Sequence, residues 1–467
     1  MKIAYFTDTF YPQINGIVSS VINLSKSLAD KGHKIFIVAP VVDKDFNEFR
    51  YPGITILRIA SFRASFYEDF RWTKIMSLRT YKILKKEKVD IIHFETPVGL
   101  GIMAINMAKL LNTPLVGTYH TFISDPRYIK HWKLFKPTTL VQNLSWIFTN
   151  QFYNRADLTT APSQSTIEEM KDNGCNAPKM KSISNGINGD IFDNSKTGEV
   201  SAKYNLNGKT ILYVGRISHE KSIDILIESF IYAASLDSEI QILIVGDGPQ
   251  MGDIVEIAEE SEYKDRIHMT GAMKHEDLLR SGIYGACEIF ATASETENQP
   301  MTILEAQVNG CICIGVDARG VPGMVINGKS GIIVKKGDFK AMGNAFLEIL
   351  QNKTLLDSMR ENTLEEVQKH FLPNIVLQWE EEYKILKDTF KGRKFRDKLF
   401  FPDKEPRSEL RGFCVRRGRG KAAKSTKPSS PQQATEDYGS PNKNSPGIEK
   451  STPGEIIQSV KEALLKK

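Results

Sequence analysis

Two glutamates beside a predicted helix start carry the most informative chemical pattern in this sequence. Glu297 and Glu305 are eight residues apart, the first in a loop after a predicted strand and the second within the next predicted helix. Ligands of open α/β sheets bind beyond the carboxyl ends of the strands. Carboxylates accept hydrogen bonds from hydroxyl groups, and a helix N-terminus presents free N–H groups to an anion. The pattern favours a nucleotide-sugar site, although two solvated surface glutamates would show the same spacing.

A second loop supplies positive charge to the same predicted edge. Arg216 and Lys221 follow the predicted strand 210–214 and lead into a helix. Guanidinium and ammonium groups in such a position can bind a diphosphate. Glycine-rich turns at Gly246 and Gly320 follow two further predicted strands. Each segment alone is also typical of a solvated helix start, so the prediction of a phosphate site depends on their combination.

The elements that would position these residues form a repeated strand–helix–strand pattern. Short apolar runs, such as the one that begins at Lys2, alternate with helical periodicity, and the pattern restarts at Thr210. Runs that are apolar throughout are typical of parallel strands buried on both faces. We therefore predict two doubly wound, Rossmann-like α/β domains. Residues 1–195, completed by a helix over 372–388, would form the first, and residues 196–371 the second.

Composition and charge restrict the class of protein. Hydrophobic residues make up 41% of the chain and charged residues 25%, which excludes a wholly disordered chain or a collagen. The five cysteines are too sparse for a secreted disulfide framework, and the N-terminus lacks a signal-peptide pattern, so we expect a cytoplasmic protein. The net charge of +6 is uneven: residues 1–150 carry +9, residues 151–390 carry −13 and residues 391–467 carry +10. The basic blocks would attract phosphates of lipid headgroups or of nucleic acid.

The basic tail, residues 389–467, differs from the rest of the chain. It is rich in Lys, Arg, Ser, Pro and Gly and poor in apolar residues, a composition that predicts disorder. A capping pattern near Thr452 and an apolar stripe after it predict a short helix over 453–466. An auxiliary membrane or polyanion tether fits this tail. Base-specific nucleic-acid recognition does not, because aromatic residues are not interleaved with the cations.

The order and spacing of the motifs resemble a known family. Arg216 and Lys221, then Gly246-Asp247-Gly248-Pro249, then Glu297 and Glu305, then Gly320-Val321-Pro322 are similar to the retaining glycosyltransferases of family 4 over residues 1–388. The resemblance implies the GT-B fold, in which two Rossmann-like domains face a central cleft. It also implies that the two cations bind the donor pyrophosphate, that Glu297 contacts the sugar and Glu305 the ribose, and that Gly16 faces the donor phosphate or the acceptor.

His120 adds a candidate catalytic residue, since it follows a predicted strand and matches a family histidine beside the transferred sugar. Without the resemblance, a structural histidine would be the more common interpretation. We predict a catalytic set of His120, Glu297, Arg216 and Lys221. The predicted donor-binding set is Gly16, Arg216, Lys221, Gly246, Glu297, Asn298, Gln299, Pro300, Met301 and Glu305. The chain departs from the family at Asn298-Gln299-Pro300, where many relatives have Gly-Phe or Gly-Leu, and this departure bears on the identity of the sugar.

Two segments of the first domain mix cations with aromatic residues, as a membrane interface requires. The predicted acceptor and membrane residues are Arg63, Phe66, Tyr67, Arg71, Trp72, Arg127, Tyr128, Lys130, Trp132 and Lys133. Ordinary amphipathic helices have a similar composition. The segment 118–128 is also similar to that of diacylglycerol glucosyltransferases within the family.

Together with these residues, the family resemblance implies a retaining hexosyltransferase that moves glucose from UDP-glucose to a membrane lipid such as diacylglycerol, at the cytoplasmic face of the membrane. We expect it to need no metal or other cofactor, with a divalent cation at most stimulatory, and to bind no specific nucleic acid. A soluble sugar, glycan or sugar-phosphate acceptor is the main alternative. A GT-B epimerase shares the architecture, but the paired glutamates with Arg216 and Lys221 argue against it. The sequence leaves the oligomeric state open.

Overall fold

The computed structural model describes residues 1–13, 15–42, 46–63, 71–120 and 139–393. These residues form two parallel sheets, each flanked by helices, and one short antiparallel hairpin. The predicted doubly wound α/β architecture is therefore confirmed. The segments expected to be a disordered tail and a terminal helix over 453–466 lie outside the described residues, apart from the first few residues of the tail.

The described part of the first sheet has seven strands in the order β3-β2-β1-β6-β7-β8-β9. Its strands are β1 (Lys2–Phe6), β2 (Lys34–Pro40), β3 (Ile54–Ile59), β6 (Ile91–Phe94), β7 (Leu115–Thr118), β8 (Leu158–Ala161) and β9 (Met180–Ser182). The separate hairpin is formed by β4 (Ser61–Arg63) and β5 (Arg71–Thr73). The helices are α1 (Gly16–Asp30), α2 (Leu78–Glu87), α3 (Gly99–Leu111), α4 (Thr139–Tyr153) and α5 (Gln164–Asp172). The strands are parallel, so their carboxyl ends share one edge.

The described part of the second sheet has six parallel strands in the order β12-β11-β10-β13-β14-β15. They are β10 (Thr210–Val214), β11 (Gln241–Val245), β12 (Ile267–Gly271), β13 (Ile289–Thr292), β14 (Ile312–Val316) and β15 (Gly331–Val334). The helices of this half are α6 (Thr197–Lys203), α7 (Ile223–Leu236), α8 (Met251–Glu260), α9 (His275–Leu279), α10 (Met301–Val308), α11 (Phe339–Leu350) and α12 (Lys353–Val367). In both sheets the chain reverses its strand order beside the first strand, which places a crevice at the carboxyl edge.

Burial explains why a central strand such as β1 has no polar face. Residues 3–6 of β1 are fully buried, because helices cover both sides of the sheet. Helix starts follow capping chemistry: the side chain of Asn15 accepts a hydrogen bond from the N–H of Val18, and that of Ser163 accepts one from the N–H of Thr166. Among the described helices, none combines the length and the apolar character needed to cross a membrane.

The last described helix, α13 (Leu372–Thr389), returns to the first sheet. Trp379 and Tyr383 are buried in the same core cluster as Tyr5 of β1. Before α13 the chain returns from the second half of the molecule to the first. At this point the N–H of Leu372 donates to the carbonyl of Ile187 at 2.8 Å. Residues 183–187 and 370–372 therefore lie side by side where the chain passes between the two halves, and we call them the crossover segments.

Candidate active site

The carboxyl edges of the two sheets meet, and direct hydrogen bonds join them. Asn298, in the loop between β13 and α10, donates through its Nδ2 to the carbonyls of Tyr119 and His120 after β7, each at 3.2 Å. The predicted catalytic histidine and the predicted donor loop come from different sheets, 178 residues apart. The fold nevertheless places them in contact.

Glu297 and Lys221 lie together at this meeting point. Lys221 Nζ donates to Glu297 Oε1 in an ion pair whose side chains are only 21% and 17% exposed. Lys221 closes a 3-10 turn after β10, whereas Glu297 follows β13, the next strand in the sheet. Because neighbouring parallel strands end at the same edge, two residues that are distant in sequence reach one point.

Arg216 also lies at this edge, two residues beyond the end of β10, with its side chain exposed. The hydroxyl of Tyr213 donates to the Arg216 carbonyl at 3.0 Å and so supports the backbone of this turn. The guanidinium of Arg216 therefore lies in solvent, and Arg216 precedes Lys221 closely in the sequence.

Glu305 is almost completely buried, with 3% of its surface exposed. Its Oε2 accepts a hydrogen bond from the Tyr284 hydroxyl at 2.6 Å, and its Oε1 contacts His275 Nε2 at 2.8 Å. The hydrogen bond to Glu305 raises the pKa of His275 above its usual value. Sequence reasoning did not identify either partner, although His275 follows β12 at the same edge and could have been found from that position.

Glycines allow the loops of this edge to pack closely. A Cβ at Gly246, whose φ is +149°, would lie 1.9 Å from the carbonyl oxygen of Gly215. A Cβ at Gly320 would lie 1.5 Å from the carbonyl oxygen of Asn298. No side chain fits at such distances, so these glycines hold neighbouring loops in contact. Gly16 differs, since a Cβ there would meet nothing within 4 Å and the local backbone does not require glycine.

His120 has a buried carboxylate partner that sequence reasoning missed. Its Nε2 lies 2.6 Å from Oε2 of Glu95, which is 4% exposed and directly follows β6. Burial by itself raises the pKa of Glu95, but the nearby His93 and the hydrogen bond to His120 outweigh it, and the net pKa is below the usual value. A charged carboxylate that orients a histidine fixes which ring nitrogen carries the proton. The position of Glu95 after a predicted strand was the available signal.

A buried network continues behind Glu95. The ring of His93 contacts Thr118 Oγ1 at 2.6 Å and the Tyr383 hydroxyl at 2.8 Å, and the Tyr383 hydroxyl lies 2.8 Å from that of Tyr5. Burial lowers the pKa of His93 to about 4. The C-terminal helix α13 thereby contributes, through Tyr383, to the layer that supports Glu95 and His120.

The depressed pKa of His93 predicts acid sensitivity. The unfolded chain would bind this proton near pH 6.5 and the folded chain only near pH 4, so the stabilising contribution is complete above pH 6.5 and is lost as pH falls towards 4. Complete loss of this contribution lowers the free energy of unfolding by about 3 kcal/mol. Asp8 partly offsets this loss of stability in acid, because burial raises its pKa to about 6 and the folded chain therefore binds its proton more readily than the unfolded chain does. The free energy of unfolding, measured by urea denaturation from pH 7 to pH 4.5, should therefore fall less steeply in His93→Gln than in the wild type. Parallel slopes would contradict this assignment.

The side chains of Asn298 and Gln299 face the first domain. Asn298 Oδ1 accepts hydrogen bonds from the hydroxyls of Ser163, at 3.0 Å, and Thr166. Gln299 contacts a crossover segment, accepting from the N–H of Asn185 at 2.8 Å and donating to the Ser184 hydroxyl at 2.9 Å. Both are 8% exposed. Pro300 follows as the N-cap of α10, and Met301 is the first helical residue, half-buried.

The predicted acceptor residues are only partly covered by the structure. Phe62 and Trp72 are cross-strand neighbours on the β4–β5 hairpin, with 67% and 40% of their surfaces exposed. Arg71 donates to the carbonyl of Val41 at 3.1 Å. The backbone of Arg63 pairs with that of Arg71. The other predicted residues lie outside the described residues: Phe66, Tyr67, Arg127, Tyr128, Lys130, Trp132 and Lys133.

Among the residues that the structure describes, no group of three or more His, Cys, Asp or Glu side chains could hold a metal ion.

Two family descriptions and several known proteins match this chain. Residues 14–190 match Glycosyltransferase Family 4, and residues 197–366 match Glycosyl transferases group 1. The chain is 28% identical to the alpha-monoglucosyldiacylglycerol synthase of Streptococcus pneumoniae, over 86% of this chain and 92% of that protein. It is also 28% identical to a GDP-mannose-dependent alpha-mannosyltransferase of Corynebacterium glutamicum, over 73% of this chain and 78% of that protein.

A solved structure supports the same assignment for the fold. The structure of Anabaena HepE in complex with UDP-glucose superposes with a TM-score of 0.63 at 17% identity, over 83% of this chain and all of that chain. This likeness supports the two-domain GT-B fold that the family resemblance implied. With both family descriptions matched in order along the two sheets, the chain carries a Glycosyltransferase Family 4 domain followed by a Glycosyl transferases group 1 domain, in the GT-B fold.

Proposed function

We propose that this glycosyltransferase moves glucose from UDP-glucose to a hydroxyl of a membrane lipid such as diacylglycerol, with retention of configuration. The observation that carries the proposal is the contact between the two carboxyl edges: the loop of Glu297, which pairs with Lys221, binds the backbone of His120 through Asn298. The alpha-monoglucosyldiacylglycerol synthases among the relatives support the sugar and the lipid. The HepE structure, solved with UDP-glucose, supports the choice of nucleotide.

The donor would lie along the carboxyl edge of the second sheet. Arg216 and Lys221 would bind the diphosphate, and the positive end of α10 would add to their charge. Lys221 would then exchange part of its contact with Glu297 for phosphate, which frees the Glu297 carboxylate to accept hydrogen bonds from sugar hydroxyls. Glu305, held by Tyr284 and His275, would accept hydrogen bonds from the ribose.

Transfer would break the bond between the sugar C1 and the diphosphate oxygen, and would form a bond from C1 to the acceptor oxygen on the same face. The proton of the acceptor hydroxyl would pass to the leaving diphosphate. The two cations stabilise the charge that develops on this leaving group, a role that is strongest in a preorganised site. His120, oriented by Glu95, would contact the sugar beside C1.

The membrane part of the proposal is supported by an exposed surface of the first domain, which we call the hairpin surface. It consists of the side chains of Phe62 and Trp72 and the exposed cations of α2, namely Arg79, Lys82, Lys85 and Lys86. The buried side of α2 is marked by Thr80 and Leu84, so the cations share the outer face. Exposed aromatic side chains and exposed cations both favour binding to an anionic lipid surface.

Replacing Phe62 and Trp72 together by serine should weaken binding to vesicles that contain phosphatidylglycerol by about tenfold or more, because each buried aromatic contributes about 1.5–3 kcal/mol. Vesicle co-sedimentation at low and high salt measures this. Leu377→Ser, which removes an exposed apolar residue of α13 (55% exposed), is the matched control and should bind as the wild type does. Equal binding by the double variant would contradict a membrane role for the hairpin surface.

The function is tested with purified full-length protein and four donors: UDP-glucose, UDP-galactose, UDP-N-acetylglucosamine and GDP-mannose. Each is offered with and without diacylglycerol in anionic vesicles, and Glu297→Gln is assayed in parallel. We expect glucose transfer only with vesicles, and loss of transfer in the variant. Lipid-independent turnover would support a soluble acceptor, as in the relative named N-acetyl-alpha-D-glucosaminyl L-malate synthase. Preference for GDP-mannose would contradict the proposed donor.

A further inference from the structure

We propose that Asn298 is a positioning residue that sets the place of His120 relative to the donor sugar. This inference rests on the proposed function, because it assumes that His120 acts beside the sugar. It also assigns the Asn298 side chain a task other than donor binding. Three structural features support this role: the end of the β7–β8 ladder, the partners of each atom of the Asn298 amide, and the contacts of the Asn298 backbone.

The ladder of the first sheet ends just before His120. The pairing of β7 with β8 extends only to Thr118 opposite Thr160, and the N–H of Tyr119 makes the last bond, to the carbonyl of Thr160 at 2.8 Å. Beyond this point the carbonyls of Tyr119 and His120 are bound by Asn298 of the second domain. The backbone that carries the catalytic candidate is thus held from across the cleft.

The orientation of the Asn298 amide follows from the chemistry of its partners. Backbone carbonyls can only accept, so the Nδ2 group must face Tyr119 and His120. The Oδ1 atom then faces the hydroxyls of Ser163 and Thr166, which can donate. All four contacts are made by a side chain that is 8% exposed. An amide is required at this position, since neither a carboxylate nor an apolar group can satisfy both sets of partners.

The Asn298 backbone is itself held against the donor loop. The N–H of Gly320 donates to the carbonyl of Glu297 at 3.0 Å, and the absence of a side chain at Gly320 allows the Asn298 carbonyl to approach. Glu297, which would contact the sugar, is the preceding residue. Asn298 therefore connects the loop of the proposed sugar contact, Glu297, to the backbone of His120. The ring of His120 is held separately, by Glu95. Backbone and ring are fixed independently.

The test uses Asn298→Asp and Asn298→Ala in the full-length protein, with UDP-glucose and diacylglycerol vesicles. A misplacement of about 1 Å can cost about 100-fold in rate, so we expect kcat to fall by about 100-fold in either variant. The loss in Asn298→Asp should be at least as large, because its carboxylate would face two carbonyl oxygens while still accepting from Ser163 and Thr166. The affinity for UDP, measured by calorimetry, should stay within about threefold, the pattern of an interaction that matters only in the transition state.

Ser163→Ala is the matched control, since it removes a hydroxyl on the Oδ1 side of Asn298 but leaves the contacts with Tyr119 and His120. It should lower thermal stability through the lost helix cap, with kcat within about threefold of the wild type. If Ser163→Ala lowers kcat as much as Asn298→Asp does, the effect belongs to general contact between the domains and the positioning role is overturned. Circular dichroism and thermal melting confirm that each variant is folded.

A double-mutant cycle with His120→Ala decides whether Asn298 acts through the histidine. We expect Asn298→Ala to cost little further activity once His120 is absent, because coupled residues are not additive. Full additivity, with His120→Ala itself impaired, would leave the proposed function intact and overturn the positioning role. Wild-type turnover by His120→Ala would instead overturn the proposed role of His120, and the inference with it.

Discussion

Alanine at Arg216 or Lys221 is expected to lower kcat for glucose transfer by about 10²- to 10³-fold each, the largest effects predicted for donor-site residues. The charge on the leaving diphosphate grows as the bond to the sugar breaks, and a fixed cation at this edge stabilises that charge without reorganisation. Both residues follow β10, so they lie where the diphosphate would be placed. Single-turnover kinetics with UDP-glucose measure the loss directly.

The two variants should differ in one respect. Lys221→Ala also leaves the Glu297 carboxylate, 17% exposed, without its ion-pair partner. This variant should therefore lose sugar binding as well as charge stabilisation, whereas Arg216→Ala should affect mainly the chemical step. Lys209→Ala is the matched control, because Lys209 pairs with Asp237 and Glu239 at the opposite end of β10. Turnover in the two site variants equal to that of the control would contradict the proposed diphosphate site.

Replacing Glu95 by glutamine is expected to lower kcat by about 10- to 10³-fold with little change in the KM for UDP-glucose. Glutamine keeps the size of the side chain but removes the buried charge that accepts the hydrogen bond of His120 at 2.6 Å. The histidine ring then loses both its orientation and its fixed tautomer. The pH dependence of kcat should change as well, because a neutral amide no longer titrates or stabilises charge beside the ring.

A distant member of the same network serves as the control for Glu95. Tyr383→Phe removes the hydroxyl that bonds His93 at 2.8 Å but leaves the contact between Glu95 and His120 intact. Its kcat should stay within about threefold of the wild type, while its thermal stability falls by about 1 kcal/mol for the lost hydrogen bonds. A wild-type pH profile in Glu95→Gln would show that Glu95 serves only the packing of the first domain.

Local patterns were sufficient to predict the fold and the edge where the site would lie. Apolar runs and helical periodicity predicted two parallel sheets, and the helix expected over 372–388 is observed as Leu372–Thr389. A residue that directly follows a parallel strand must lie at the carboxyl edge, whatever the rest of the chain does. For this reason Arg216, Glu297 and His120 could be proposed from their positions after strands.

The partners of these residues could not be predicted in the same way. Glu95 follows a strand as His120 does, but only the neighbouring positions of β6 and β7 in the sheet bring their side chains together. His275, at the start of α9, and Tyr284, nine residues further on, converge on the buried carboxylate of Glu305. Strand order and side-chain packing are decided by the whole core, and no periodicity in the sequence encodes them.

The sequence by itself determined the fold class, the family resemblance and the individual residues that offer charge at the edges of the sheets, because each of these depends on a short stretch of chain. Only the tertiary structure decided what those residues contact. Asn298 looked like a departure in the donor loop, yet its amide binds the backbone of His120 from the other domain. That contact depends on how two separately folded sheets pack against each other, and packing across a cleft leaves no local signal in the sequence.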